Sequence, residues 1–391
     1  MTPVWLVDSH SEQRELVEQL RGVWRVAIDI ESNGMFAYRP RVCTIQLAWC
    51  DAHRDRHVAI VDTFACGLDA MNDLLSNPSV LKIVHDLSFD ARALHAEGIR
   101  LACLRDTAVA ATYLGKPATG LASLLAGELG VHVSKNMQNS DWAARPLSDT
   151  SIAYLAGDVA HLDQLETLLW QQVQQAHIED EVSTETAYRL SQALSAPVNQ
   201  PPSAQRLRGY HRLDGLARRV ASLIVPIREQ FAIERNLPPQ RVLADPVMIA
   251  IAMRRPRSLG ALSRFGQTRH LSHSERQDLL DGIIEAIKLG PLEEEPASDS
   301  HHHNPHTDSE RKLEKTLMAW RKRQASARGV NEQVVLPSHC LKHLVGRYAA
   351  GPGTDNMLRV DQLAAIPGLG TSRTKRYGAI LVQLVNSYPR P

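Results

Sequence analysis

The chain has 391 residues, 43% of them hydrophobic; it is too long for one ordinary domain of about 100–200 residues and too apolar for bulk disorder. Its 44 Lys and Arg nearly cancel its 43 Asp and Glu, for a formal net charge of +1, an average that by itself speaks against a nucleic-acid partner. The average hides two halves: 15 basic against 25 acidic side chains in residues 1–200 and 29 against 18 in residues 201–391, balances of −10 and +11, an asymmetry that points to division of labour with nucleic acid on the basic side.

Residues 1–10 lack the basic cluster and apolar core of a signal peptide. Residues 23–30, 42–49, 58–61 and 80–84 are β-branched and apolar and read as strands, and the short polar turns between the first of them suggest an antiparallel start. Residues 89–97, 107–114 and 121–129 read as helices. Ser148 or Asp149 can cap one long helix reaching about residue 175, with Ile152, Leu155, Val159, Leu162, Leu165 and Leu169 at helical spacing. This describes an α/β domain around a mixed sheet. Residues 194–209 and 290–308 are rich in Pro, Ser, Glu and His and read as linkers; His301, His302, His303 and His306 belong to the second. The chain thus divides into 1–193, 210–289 and 310–391. The last two segments are helical, each opening on a basic amphipathic helix followed by a polar turn and a Val-Leu pair (Val242-Leu243 and Val335-Leu336), a degenerate tandem repeat. No apolar run approaches the roughly 18 residues of a membrane helix. Five cysteines (Cys43, Cys50, Cys66, Cys103, Cys340) without a C-x-x-C pair argue against a zinc site or disulfide framework and for a reduced, cytoplasmic compartment.

Three elements carry candidate chemistry. On the strand Val26-Ala27-Ile28-Asp29-Ile30-Glu31, alternation sends Asp29 and Glu31 to one side, about 7 Å apart, and Val26, Ile28 and Ile30 to the other. Two adjacent acids raise each other's pKa unless a cation sits between them; the bland alternative is an exposed polar strand face. Asp90 follows the strand 80–84 in the first turn of a helix, where it is either a dipole acid or a functional one, with Asp86 as its competitor. Tyr154 and Asp158, at i and i+4, stack on one helix face, and Ala156-Gly157 leaves room beside them; alternatively both are surface residues. The ordered set, D-x-E, then D, then Y-x-x-x-D, is far more specific than any one part. Four converging carboxylates can hold two divalent cations, Mg²⁺ or Mn²⁺, because hard cations take oxygen ligands. Two such ions about 3.5–4 Å apart serve phosphodiester hydrolysis.

On these residues the chain resembles the DEDD exonucleases in their tyrosine-bearing subclass, and within it the ribonuclease D family. Asp29 and Glu31 match the first motif, Asp90 the second, Tyr154 and Asp158 the third. Further likeness lies in Arg41-Val42-Cys43-Thr44-Ile45-Gln46-Leu47 and in the stretch from Gln138 to Leu147. The similarity covers almost all of residues 1–175. It implies an RNase H-like fold and 3′-to-5′ release of nucleoside monophosphates. It also implies that Asp29 bridges both metals, Glu31 and Asp158 hold the ion on the nucleophile side, Asp90 holds the other, and Tyr154 positions the water. Gln46, Trp142 and Arg145 would contact substrate, with a buried Trp and a structural salt bridge as the alternatives for the last two. Ile30 stands where the family more often has Thr, and residues 32–40 differ from the best-studied bacterial form.

The helical segments carry clusters such as Arg218-Arg219, Arg254-Arg255-Pro256-Arg257 and Arg321-Lys322-Arg323, suited to sequence-independent phosphate contact or simply to solvating helix faces. Through Arg228-Glu229 with residues 237–245, and Trp320-Arg321 with Val335-Leu336-Pro337 and Ile366-Pro367-Gly368-Leu369-Gly370, they resemble HRDC domains, the helicase and RNase D C-terminal module. The Gly368–Gly370 turn, with Arg373 and Arg376 after it, either meets a phosphate or packs two helices. No G-x-x-x-x-G-K-[ST] loop is present, which disfavours a helicase. The expectation is a cytoplasmic, monomeric, metal-dependent 3′-5′ exoribonuclease that trims tRNA and other structured precursors, with no membrane and no obligate protein partner. The rivals are a single-strand DNA repair exonuclease and a non-catalytic nucleic-acid-binding protein.

Overall fold

The structure is a computed structural model that describes residues 3–134, 136–195, 197, 201–292, 308–349 and 357–387. The histidines at 301–303 and 306 lie outside the described residues. Six strands, β1 (Val4–Val7), β2 (Arg25–Ser32), β3 (Val42–Cys50), β4 (Arg56–Asp62), β5 (Leu81–Val84) and β6 (Leu104–Asp106), form one mixed sheet in the order β1-β4-β3-β2-β5-β6. The run β2-β3-β4 is antiparallel, as the short polar turns suggest; β1 joins β4, and β5 and β6 extend β2, all in parallel.

The face expected of β2 is the face observed. Val26, Ile28 and Ile30 enter a core with Leu16, Leu47, Leu87 and Leu94 on one side of the sheet, whereas Ala27 meets Leu155, Val159, Leu165 and Leu169 on the other. Asp29 and Glu31 therefore share the side of Ala27. Strand β5 pairs with β2 only at Arg25, Val26 and Ala27. Beyond that point β2 runs on beside β3 alone, leaving an opening at the carboxyl ends of two parallel strands, where sheets of this kind place their ligands.

The single long helix expected over 149–175 is two, Asp149–Val159 and Leu162–Gln175, broken at His161. No Gly or Pro marks the break, and both halves bury their apolar stripe in the same core, so the periodicity runs through it. Helix 121–129 is likewise split, ending in a π-helical turn, Leu125–Leu129. Short β1 and β6, helix His10–Gln19 and helix Glu179–Ser195 were not expected from the sequence.

The described residues gather into two compact units. One contains 3–32, 42–195 and the C-terminal helices from 308 onward; the other contains Asn33–Arg41 with the helices between Ala204 and Leu289. Two corrections follow. The end of the expected first linker packs: Ala204 and Leu207 are buried in the second unit's core. Residues 33–41 pack there as well: the Tyr38 hydroxyl donates to Glu229 (2.7 Å), its amide to Asn236 (3.2 Å), and Arg241 lies over the Phe36 ring at 4.3 Å. Asn236 closes helix Gly215–Arg235 in the left-handed region (φ 48°), a conformation Asn tolerates better than most residues.

The tandem repeat is visible in side-chain detail. In the second unit Arg228 is buried and donates to the Leu243 carbonyl (3.1 Å) and to Asp245 (2.8 Å). In the C-terminal helices Arg321, also buried, donates to the Leu336 carbonyl (3.2 Å) and to Glu332 (3.0 Å). Each arginine closes the turn at its module's Val-Leu pair.

Candidate active site

The opening at the end of β2 is a cleft of about 1290 Å³ lined by Asp29, Glu31, His85, Asp86, Phe89, Asp90, Tyr154 and Asp158, together with residues 119–122, Val133, Ser134 and Gln138. Each acid arrives by a different local rule. Asp29 and Glu31 come from strand alternation. Asp90 comes from the first turn of helix Ser88–Ala96, which follows β5 across the turn 85–87. Tyr154 and Asp158 come from one face of helix Asp149–Val159, whose N-terminus Ser148 caps by accepting the Ser151 amide (3.1 Å).

Asp29, Glu31 and Asp158 each offer a carboxylate oxygen, and these oxygens lie within 4.8 Å of one another. At that spacing, with an effective dielectric constant of about 20, each ionised pair repels by on the order of 3 kcal/mol, enough to move a carboxyl by about two pH units. Burial adds to this. It is the larger cause at Asp29, pushed up to about 8 with repulsion from Asp158 second. It is also the larger cause at Glu31, pushed up to about 9 with Asp29 and Asp158 second and third. Asp158 rises to about 7 through burial, opposed by a hydrogen bond from Tyr154. Asp90 is buried, and its carboxyl lies well above the ordinary range through desolvation and then through Asp29 and Glu31. Asp86 is exposed and is absent from the groups acting on Asp29 and Glu31, whereas both of those acids act on buried Asp90.

Two observations test whether a divalent cation suits this site. Among the described residues lining the cleft there is no lysine or arginine, and burial lowers the pKa of its one histidine, His85. One buried Asp90 oxygen has no hydrogen-bond partner. Four acids without a protein counter-charge are costly unless protonated or bridged by a cation, and all-oxygen donors suit a hard cation. The Tyr154 hydroxyl is raised above its usual pKa by burial and by Asp158, Glu31 and Asp29, so it stays protonated.

The expected substrate contacts fare differently. Trp142 is buried and stacks on Tyr154 (centroids 5.6 Å apart, planes at 30°); it supports the tyrosine and does not line the cleft. Arg145 is held by Asp62 through two hydrogen bonds (2.5 and 2.9 Å) and donates to the carbonyls of Cys43, Trp142 and Ala144, so the structural salt bridge is the outcome. Gln46 is fully buried opposite Asp29 on β3 and donates to Thr44 (2.6 Å), backing β2. Arg373 is also buried: its guanidinium donates to the carbonyls of Val334 (2.8 Å), Leu369 (3.0 Å) and Gly368 (3.2 Å) and to the Tyr113 hydroxyl (3.2 Å). A phosphate cannot reach it. The turn before it packs helices. A Cβ on Gly368 would lie 2.9 Å from the Tyr188 ring, and one on Gly370 2.9 Å from the Thr184 hydroxyl. Only Arg376 of this group is exposed. Gly157 has ordinary space, with Val133 3.9 Å from a Cβ, so no close approach explains it. Phe89, half exposed in the cleft, and the cleft-lining residues Thr119, Gly120, Leu121, Ala122, Val133 and Ser134 were not marked as site residues by any sequence motif.

Comparison with known proteins agrees with this geometry. Residues 4–174 match a 3′-5′ exonuclease family, and residues 218–287 and 310–385 each match the HRDC domain. Ribonuclease D of Gluconacetobacter diazotrophicus is 33% identical over 290 residues, 72% of this chain and 70% of that protein. Ribonuclease D of Granulibacter bethesdensis is 30% identical over 309 residues, 72% of this chain and 74% of that protein. The crystal structure of Escherichia coli RNase D, an exoribonuclease involved in structured RNA processing, superposes with a TM-score of 0.72 at 21% identity over 99% of this chain and 100% of that one, which supports the fold. With a 3′-5′ exonuclease domain followed in the chain by two HRDC modules and relatives of this kind over more than two thirds of its length, the chain belongs to the ribonuclease D family of 3′-5′ exoribonucleases.

Proposed function

We propose that this exoribonuclease removes nucleoside 5′-monophosphates one at a time from the 3′ ends of structured RNA precursors, tRNA foremost, using two Mg²⁺ or Mn²⁺ ions. The observation that carries the reading is the cluster of Asp29, Glu31 and Asp158 within 4.8 Å, joined by buried Asp90 with an unpartnered oxygen. Asp29, Glu31, Asp90 and Asp158 are the ligands. When bound, the ions supply the charge that activates water and stabilises the leaving oxygen. Tyr154, protonated and hydrogen-bonded to Asp158, orients the attacking water, and Trp142 holds the Tyr154 ring in place. We assign residues 1–193 to the nuclease and residues 210–289 and 310–391 to two RNA-holding modules. The exposed cations of those modules, Arg376 among them, meet phosphates. Among the described residues no helix is long and apolar enough to cross a membrane, and a cytoplasmic monomer fits this role.

The test is to incubate the protein with 3′-extended tRNA and with single-stranded DNA, in Mg²⁺ or Mn²⁺ and in chelator, with Asp29→Ala as control. Metal-dependent shortening of the tRNA, absent in Asp29→Ala, is expected. Faster digestion of the DNA transfers the assignment to repair, and no shortening of either removes it.

A further inference from the structure

Asp90 is a buried acid with an unpartnered oxygen, on a helix that starts from an unfavourable turn. Asp86 in that turn has φ 61°, a left-handed conformation that a non-glycine residue adopts at some cost. Something must hold the turn, and the holder is the Asp106-Thr107 pair at the start of the neighbouring helix.

The Asp106 carboxylate is buried and accepts four backbone amides. One oxygen takes Ala108 (2.8 Å), Asp86 (3.1 Å) and Val109 (3.2 Å), and the other takes Leu87 (2.9 Å). Two of these amides belong to its own helix, as for any N-cap. The other two belong to the turn that launches the Asp90 helix. Thr107 completes the grip: its hydroxyl donates to the Val84 carbonyl (3.0 Å) and lies 2.8 Å from His85 Nδ1. Every residue from Val84 to Leu87 is thus tied to this pair. Asp106 also adds repulsion at Asp90, so its presence there is not explained by neutralising that acid. Its four amide partners account for it instead.

We propose that Asp106 and Thr107 are positioning residues that clamp the Val84–Leu87 turn in its strained form and thereby hold the Asp90 carboxylate at its place in the metal cluster. This rests on the reading of Asp90 as a ligand. Groups that orient ligands from behind typically carry about 10–100-fold in metal affinity. Asp106→Asn keeps the shape and one acceptor oxygen but turns an amide N–H₂ toward the Leu87 N–H. Thr107→Val keeps the volume and loses the hydroxyl; Thr107→Ser keeps it.

The test is calorimetric titration with Mn²⁺ alone, without substrate, on the full chain, with Tm recorded for each variant and Asp90→Asn alongside. Asp106→Asn is expected to weaken Mn²⁺ binding by about tenfold and Thr107→Val by a smaller factor, with Thr107→Ser restored toward the parent. Parent-like Mn²⁺ affinity in Asp106→Asn, with only Tm lowered, overturns the clamp. If Asp106→Asn does not fold, Thr107→Val decides by the same criterion. Parent-like affinity in Asp90→Asn instead removes the ligand reading, and the clamp with it. Loss in Asp90→Asn but not in the clamp variants defeats the clamp alone.

Discussion

The acids of the cleft and the arginines of the helical modules are both ionisable groups drawn wholly or partly out of water, and they have opposite fates. Arg228, Arg321 and Arg373 spend their donors on carbonyls and acids of the fold. Asp29, Glu31, Asp90 and Asp158 face one another, and among the described residues lining their cleft there is no lysine or arginine. A satisfied buried charge holds structure together; a cluster of unsatisfied like charges is retained for something the chain binds. In sequence both sets look like candidate contacts, and only their partners separate them.

Substitutions can break this contrast. The largest effect is expected at the centre of the acid cluster. Asn in place of Asp29 should lower kcat by on the order of 10³-fold while raising the Tm of the chelated protein, because it removes a carboxyl that folding forces either to repel Asp158 and Glu31 or to hold an unfavourable proton. A Tm that falls as well would class Asp29 with the structural charges. Tyr154→Phe should cost about 10²-fold in kcat with little change in Mn²⁺ affinity, measured by single-turnover kinetics beside the metal titration. Arg373→Ala should leave the chemistry of a short oligonucleotide intact and destabilise the fold by about 3 kcal/mol, read by denaturant melts. Exposed Arg376→Ala should change stability by no more than about 0.5 kcal/mol and flatten the salt dependence of RNA binding.

The subtlest effect is one of pH. Asp158, Asp29 and Glu31 sit near 7, 8 and 9 against ordinary values of 3.8 for Asp and 4.5 for Glu. The folded, metal-free protein therefore keeps protons that the unfolded chain has released over this window. Its stability should fall as pH rises from about 4 to about 9, and Mn²⁺ should remove the fall. Melting curves across that range, with chelator and with Mn²⁺, check the sign; a metal-free Tm that rises with pH would contradict the raised values.

The part of the site that obeys short-range periodicity was legible in advance. Asp29 and Glu31 share a face because strands alternate, and Tyr154 stacks with Asp158 because helices repeat every 3.6 residues. Residue type alone could not place Arg145 or Arg373. An arginine after a motif suits a phosphate and a buried carbonyl cage equally well, and the cage is built by Asp62 and Cys43 in one case and by Val334, Gly368 and Tyr113 in the other, residues distant in the chain. The same limit hid helix Glu179–Ser195, whose buried face carries Glu181 and Glu185. Those acids look solvent-facing until Glu185 accepts from the Tyr113 hydroxyl (3.0 Å) and Arg189 (3.0 Å).

The net charge of +1 resolves in the same way. The sequence by itself determined the family of chemistry, because the acids, their order and their spacing are local facts, and it determined the excess of basic residues in the second half. Only the tertiary structure decided which charges are free to act. A side chain's availability depends on the desolvation and hydrogen-bond partners that distant segments bring to it, and neither is written at its own position.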